Sequence, residues 1–414
     1  MSRSTKQRLL LFLIAFCAAV TAAVVTGQFS SPQRWEYSQI AQNILNGRGF
    51  VYDYLGTPYH FYGPALYPVL LAGILKLTGG SEGIVLIFQG MLFAATALLV
   101  YRTALIFFGR QTALLCCLLV SLHPGNLIYA GKLHSQTLDV FFIALSFYIF
   151  SRVKIGWNPW KLAGAGAAAG LTVLSRATLG PFFLLWAAWF LRANRRRAPR
   201  AVWAICLIGL TGLAMLTPAI ARGVLLYGRL VPLRTDTGVN LWYGNHPGAS
   251  GTSYTLSPHP IPVIAELPPE LSSRIGRMNE LEQNREFRET AVSFMRANPV
   301  AAFHLFLKKM VYFWWFSPHV GLLYPLKWLR VYAMYYGALL VFSMAGLVIS
   351  AISPRSSARK GTVLFALAAF SVSCSQAIFY VEGRHRWEIE PLLMMFAAVG
   401  LCALWKKLCP RTAG

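Results

Sequence analysis

Residues 84–108 read IVLIFQGMLFAATALLVYRTALIFF. The run is long enough to cross a bilayer core, which takes about 20 mostly apolar residues. Its one charged residue, Arg102, lies toward the C-terminal end. Two further apolar runs follow almost without a gap, at 112–130 and 133–151. Working outward, similar runs occupy 161–175, 178–191 and 201–221, then 331–350, 361–380 and 388–405, with 9–27 at the start. Composition agrees: 56% of the 414 residues are hydrophobic and 13% are charged, against about 25% charged in a soluble domain. One globular core cannot hide that much apolar surface, whereas lipid accepts it. The fold class expected is therefore an all-α polytopic membrane protein. Its bundle has about ten transmembrane helices, with eleven to thirteen left open. The run at 9–27 follows a basic start (Arg3, Lys6, Arg8) and reads as an uncleaved signal anchor. The alternative is a cleaved signal peptide, against which the run is long for an h-region.

The net charge of +24 would suggest nucleic acid in a soluble protein, but here it has another reading. Basic residues cluster at the N-terminus, at Arg102/Arg110, Arg152/Lys154/Lys161, Arg192–Arg200, Arg355/Arg359/Lys360 and Lys406/Lys407/Arg411. Each cluster flanks a span, as cytoplasmic loops do, and would meet anionic membrane lipid. Ten spans with both termini cytoplasmic place all six clusters inside. No basic stripe remains for a nucleic-acid partner. The 14 acids test the arrangement independently. Asp139 lies within a span. The others are Glu36, Asp53, Glu82, Asp236, six glutamates between 266 and 289, and Glu382, Glu388 and Glu390, all on or near the opposite face.

Two outer segments are consequently large. Three parts result: 1–221, a transmembrane module with the first outer loop 28–82; 222–330, a large outer loop; and 331–414, the C-terminal helices. Within the large loop, 270–297 reads as a charged amphipathic helix ended by Asn298-Pro299. The aromatic stretch 301–316, carrying Lys308 and Lys309, reads as an interfacial helix. None of the seven cysteines falls in an outer loop, and no Cys/His metal spacing occurs.

The first outer loop carries the candidate chemistry. Tyr37, Ile40, Ala41, Ile44 and Leu45 share a helical face, and Asn46-Gly47 ends the helix. Glu36 and Asp53 are the loop's carboxylates before Glu82. A carboxylate beside a membrane cleft can take a proton from an acceptor hydroxyl; the plainer role for Glu36 is to complement the helix start. Tyr37 and His60 lie beside them.

The stretch WEYSQIAQNILNGRGF (35–50) resembles the first outer loop of bacterial members of the dolichyl-phosphate-mannose–protein mannosyltransferase family. That family belongs to the GT-C superfamily, together with glycosyltransferase family 39, the aminoarabinose transferases of lipid A and the RgtA/B/C/D-like transferases. The likeness is collinear. Pro64-Ala65-Leu66-Tyr67-Pro68, the Gly164–Arg176 span, residues 217–251 and the Glu382–Pro391 segment each resemble a family element. The resemblance implies a polyprenyl-phosphate sugar donor, an unidentified acceptor, and a site between the two outer loops of an enzyme in the bacterial inner membrane. It implies an acidic residue as base and cations on the departing phosphate, with a divalent metal left open and no other cofactor. Arg176, Arg222, Arg234, Arg384 and Arg386 lie near outer span ends, and Arg384 has the best local motif match; the alternative for each is a snorkelling or headgroup-binding residue.

Two positions depart from the family pattern. Gln33 stands where an Asp is usual, and Gln136, in His134-Ser135-Gln136-Thr137, where a Glu is common. An amide is neither a base nor a good ligand for a divalent ion. Glu36 or Asp53 must then supply the base, and on a continuous helix Gln33 and Glu36 would share a face. A non-catalytic relative that binds lipid-linked sugar, or scaffolds polysaccharide assembly, is the second reading. A transporter is the third, without an inverted repeat to support it. Asp139 is an intramembrane acid, functional or ion-paired with Lys132 and His134.

Overall fold

The computed structural model describes residues 3–231, 233–255, 261–317 and 326–409. The chain begins with α1 (Arg3–Val25). The first outer loop then folds into α2 (Glu36–Leu45), a small hairpin and α3 (Leu66–Leu77). In the hairpin, β1 (Tyr52–Tyr54) runs antiparallel to β2 (Thr57–Tyr59) with Tyr52 opposite Tyr59. Leu55 and Gly56 turn it with φ of 52° and 76°. Positive φ at both central residues is the type I′ geometry, which suits strand twist but is unfavourable for leucine. Leu55 holds it because its side chain packs on the outer apolar cluster around Trp242 and Phe287.

A long helix, α4 (Glu82–Phe108), follows. Next come α5 (Arg110–Ser121) and α6 (Pro124–Ala130), related by a bend of 53°. The sequence reads 112–130 as one span, and the break at His123-Pro124 has two causes. Pro124 disfavours a helical residue before it. His123 then caps α6, its Nδ1 accepting from the Asn126 N–H at 2.9 Å. Gly125 is required here, since a Cβ would sit 2.5 Å from the Trp387 ring.

Four more helices complete this half: α7 (Gln136–Arg152), α8 (Pro159–Ser175), α9 (Gly180–Ala193) and α10 (Ala198–Tyr227). The large outer loop contains α11 (Thr237–Tyr243), α12 (Pro269–Ile275), α13 (Glu280–Ala297) and α14 (Pro299–Trp314). The single amphipathic helix expected over 270–297 is thus two. Asn279 starts α13 with a reciprocal capping box, its side chain accepting from the Glu282 N–H while Glu282 accepts from the Asn279 N–H. Such a cap terminates whatever precedes it. The chain finishes with α15 (Leu326–Ala351), α16 (Ser356–Ile378), the short α17 (Gly383–Arg386) and α18 (Glu390–Leu408).

Every one of the ten apolar segments read from the sequence falls on helix. Among the described residues, six helices are long and apolar enough to cross a membrane by length and composition alone, and seven if the bent α5–α6 pair is one span. Residues such as Leu210, Leu213 and Leu225 on α10 are exposed, as expected of a helix that meets lipid on one side. The inner contacts are tight. α15 and α18 cross so closely that a Cβ on Gly346 would lie 1.9 Å from the Phe396 carbonyl oxygen, the small-residue packing that membrane helices use. The outer segments have a core of their own, built on Val239, Trp242, Val263, Leu271, Ile275 and Phe287.

Candidate active site between the outer loops and the last span

Two distant stretches meet at the outer end of the bundle. The first is Trp35-Glu36 at the start of α2. The second is the connection Phe379–Ile389, bent by α17. Glu382 caps α17 and its own N–H donates to His385 Nδ1 at 3.1 Å. This places Arg384 in the middle. Its Nε donates to Glu382 Oε2 at 2.7 Å, its Nη1 lies 2.8 Å from His134 Nε2, and its guanidinium lies 5.7 Å from the Trp35 ring centre. Burial, with the cations Arg384, Arg176 and Lys132, holds His134 well below the usual imidazole range. His134 is therefore neutral and has a single accepting ring nitrogen, faced by two donors: Arg384 Nη1 at Nε2 and the Gln136 N–H, 3.0 Å from Nδ1. Burial pushes Glu382 up, but Arg384 and the Ser253 hydroxyl more than offset it, leaving Glu382 a firm carboxylate.

Glu36 faces this cation. Burial raises its carboxyl above the ordinary value; its own backbone N–H and the fields of Arg384 and Arg234 oppose the rise, and Asp236 adds to it. Arg234 and Asp236 form a bidentate pair, Nε to Oδ1 at 3.0 Å and Nη2 to Oδ2 at 2.6 Å, at the entry to α11. An aromatic wall stands beside them. Tyr52 and Tyr54 both pack on Tyr62, the Tyr54 and Tyr243 hydroxyls are 2.8 Å apart, and Tyr243 meets Tyr380 edge-on.

The remaining candidates are placed as follows. Tyr37 is buried, edge-on to Tyr67 and His134, with its hydroxyl 3.3 Å from Ser135 Oγ. It supports the site from beneath. Asp53 is exposed on the hairpin and pairs with Arg48 at 3.4 Å. His60 acts through its backbone: its N–H donates to Glu280 at 2.9 Å and its carbonyl accepts from Arg222 at 2.5 Å. Arg222 also donates to the Phe50 carbonyl at 3.1 Å, so it ties α10 to the first loop. Arg176 pairs with Glu388, Nε to Oε2 at 2.9 Å. Burial raises Glu388 to about 7, although Arg176 opposes it. Arg386 is fully buried, donating to Glu390 at 2.6 Å with its guanidinium 3.6 Å from the Tyr336 ring centre. The structure thus gathers Glu36, Arg234 and Arg384, sets Arg176 nearby, and gives Arg222 and Arg386 internal partners.

Two expectations are corrected here. Gln33 precedes α2, and the adjacent Arg34 bridges to Leu133, so Gln33 and Glu36 do not share a helix face. Asp139 accepts from two hydroxyls, Ser135 at 2.9 Å and Ser175, where the sequence suggested Lys132 or His134 as ion-pair partners.

Beside Arg384 runs a groove of about 420 Å³, mostly apolar, bounded by Pro124, Ile128, Trp328, Tyr332 and Trp387. Glu382 and Arg384 also line it. No group of three His, Cys, Asp or Glu side chains among the described residues converges on a metal position. The carboxylates of Glu382, Glu388 and Asp236 already carry arginine partners. Among the described residues the donor set does not fit a divalent ion.

The all-helical fold is similar to that of a solved oligosaccharyltransferase, and part of the chain matches one family model. Residues 63–221 match the family model for dolichyl-phosphate-mannose-protein mannosyltransferase. The archaeal oligosaccharyltransferase AglB from Archaeoglobus fulgidus, solved with an inhibitory peptide and a dolichol-phosphate, superposes with a TM-score of 0.54 at 17% identity. That match covers 99% of this chain and 52% of the AglB chain, so this chain spans about half the length of that relative. The same archaeal enzyme tethered to an acceptor peptide gives 0.56 at 16% identity, covering 98% and 50%. ArnT from Cupriavidus metallidurans in the apo state aligns over 99% of this chain and 80% of its own, at 13% identity and a TM-score of 0.40. A comparison with curated proteins finds no match. The matched family segment holds His134, Gln136, Asp139 and Arg176, whereas Glu36, Arg234 and Arg384 lie outside it.

Proposed function

We propose that the chain is a glycosyltransferase that moves a sugar from a polyprenyl-phosphate donor to a lipid, glycan or protein acceptor. It would act at the outer face of a bacterial inner membrane, with both termini cytoplasmic. The observation that carries this reading is the apolar groove ending on Arg384. An isoprenoid tail needs an apolar trough, and a phosphate at its head needs a fixed cation. Glu382 holds Arg384 through Nε, and Nη1 lies against His134, while Nη2 makes no hydrogen bond among the described residues. The family match and the relative solved with dolichol-phosphate support the same donor class.

The division of labour follows. Glu36, its affinity for a proton raised by burial, takes the proton of the acceptor hydroxyl. The acceptor oxygen bonds to the anomeric carbon as the bond from that carbon to the phosphate oxygen breaks. The electron pair leaves with the polyprenyl phosphate, whose growing charge Arg384 meets. All three parts, 1–221, 222–330 and 331–414, would contribute to the donor groove. Assaying membranes with labelled polyprenyl-phosphate sugars tests this directly. Arg384→Lys should cut transfer at least tenfold, because lysine lacks the planar fork, while Arg330→Lys, exposed on α15, should be nearly silent. Equal losses at both positions would mean that the arginines only anchor the protein in the membrane.

One observation favours the non-catalytic reading. Gln136 Nε2 donates to the Arg384 carbonyl at 3.2 Å, a bond that a glutamate carboxylate could not make. That reading wins if the wild type transfers no lipid-linked sugar and Gln33→Asp gains transfer.

A further inference from the structure

Outside the groove, the outer layer encloses a second cavity of about 500 Å³. Tyr254 lines both spaces, so they are neighbours across one side chain. The next residue back, Ser253, donates to Glu382 at 2.5 Å, which ties this wall to the site. The lining is chemically one-sided. Trp242 and His246 stack at 4.8 Å, and Val263 and Leu271 add apolar surface. Glu266 and Glu270 have no cationic partner among the described residues. Among the described residues of the lining the one cation, Arg274, is held by Glu286 at 2.8 Å.

His246 supplies an independent sign of a ligand. Its Nδ1 lies 2.8 Å from the Pro247 carbonyl. A carbonyl only accepts, so Nδ1 carries the proton and Nε2 has a lone pair. Nε2 is buried and has no partner among the described residues. Burial also lowers the affinity of the ring for a second proton. A buried acceptor left dry is costly and rare in a folded protein. Among the described residues the cavity therefore offers an apolar and aromatic surface, a neutral acceptor and two carboxylates, and no free cation. Its size is that of a small-molecule site.

We infer that this cavity binds the acceptor, and that the acceptor is a saccharide rich in hydroxyl or ammonium donors and free of negative charge. The sugar's apolar face lies on the Val263–Leu271 side, one hydroxyl donates to His246 Nε2, and the carboxylates take further O–H or N–H groups. Phosphorylated or uronic acid sugars are excluded by Glu266 and Glu270. The assignment as an acceptor subsite rests on the transferase reading; the binding itself does not.

The test uses the full chain in lipid nanodiscs, without donor, and reads ligand-detected NMR saturation transfer and tryptophan fluorescence. The probes are a glucosamine disaccharide, maltotriose, a galacturonic acid trimer and a neutral tripeptide. The glucosamine disaccharide and maltotriose should bind saturably, and the trimeric acid at least tenfold more weakly. His246→Phe keeps a ring on Trp242 and removes the lone pair, so it should weaken binding tenfold or more. His246→Gln, which keeps an acceptor, should retain part of it. Glu270→Gln, at the surface, should narrow the preference for the glucosamine probe without touching the fold. The inference is overturned if no neutral or cationic sugar saturates, if the acid or the tripeptide binds as well, or if His246→Phe binds like wild type. Saccharide binding in a protein that consumes no lipid-linked donor would refute the transferase reading and leave the site standing. Donor consumption without saccharide binding would do the reverse.

Discussion

Glu280 is fully buried and accepts four hydrogen bonds from three parts of the chain. The His60 and Phe61 N–H groups donate from the first loop at 2.9 and 3.2 Å, Thr235 Oγ1 donates at 2.6 Å, and the Tyr227 hydroxyl closes the set from the end of α10. Glu280→Gln keeps the shape but leaves only one acceptor oxygen. If the carbonyl serves His60 and Tyr227, the amide NH2 faces the Phe61 N–H and Thr235. The threonine hydroxyl can rotate to accept; the backbone N–H cannot. Bonds to a charged group contribute about 1.5–3 kcal/mol each, and a buried donor left unpaired costs about 1–3 kcal/mol more. The loss expected is therefore about 3–5 kcal/mol in the docking of the two outer loops. At about 1.4 kcal/mol per tenfold, local opening should rise by about two to three and a half orders of magnitude. Hydrogen exchange of peptides covering 57–61 and 233–239 in nanodiscs measures it. Glu289→Gln, exposed on the same helix, should exchange like wild type. Protection within tenfold of wild type in Glu280→Gln would refute the idea that this carboxylate joins the loops.

Glu36→Gln should lower transfer by about a hundredfold or more, as expected for a lost general base, and full activity in both Glu36→Gln and Asp53→Asn would remove the loop carboxylates from the chemistry. Because burial raises the Glu36 carboxyl above its ordinary value of 4.5, the base is lost as pH falls through that raised value. The wild-type rate should therefore climb with pH across the mildly acidic range, and a donor-saturated pH profile checks whether Glu36→Gln abolishes that limb. Reporter fusions at Arg197 and Arg277 should report opposite sides of the membrane; the same side would remove the proposed location of the site. Arg386→Met should destabilise the chain by about 3–5 kcal/mol, since it strands a buried glutamate, and a melting temperature within 2 °C of wild type, measured in nanodiscs, would contradict this.

The spans were legible because a long apolar run is a local signal that needs no knowledge of partners. The site was legible only in part. Arg384 and Arg386 stand two apart in one motif, yet one borders the groove and the other is locked inside. The spacing of Arg386 and Glu390, four apart at the start of a span, was a sign of an internal pair that the sequence did contain. Lys308 and Lys309 look alike in sequence, but one residue of helix turns a side chain by about 100°. Lys309 is 1% exposed and donates to the Phe379 carbonyl at 2.8 Å and to Asn245 Oδ1 at 3.0 Å, whereas Lys308 lies over the Tyr312 ring. Nothing local distinguishes them, because the acceptors come from segments far along the chain. The same holds for Glu280, which reads as one more acid on a charged helix.

The meeting of Trp35-Glu36 with the Phe379–Ile389 connection bears on how the protein is made. A chain emerging from the ribosome inserts its spans in order, so Glu36 is made long before Arg384 has been synthesised. Lys309 likewise waits for the Ile378 and Phe379 carbonyls, and Ser253 for Glu382. Until α16 and α18 are in place, the outer loops have no floor, and the nascent protein is a set of helices without the candidate site. On the proposed reading, a membrane held at that stage would contain the protein but could carry out no transfer, so any transfer would wait for the completion of insertion.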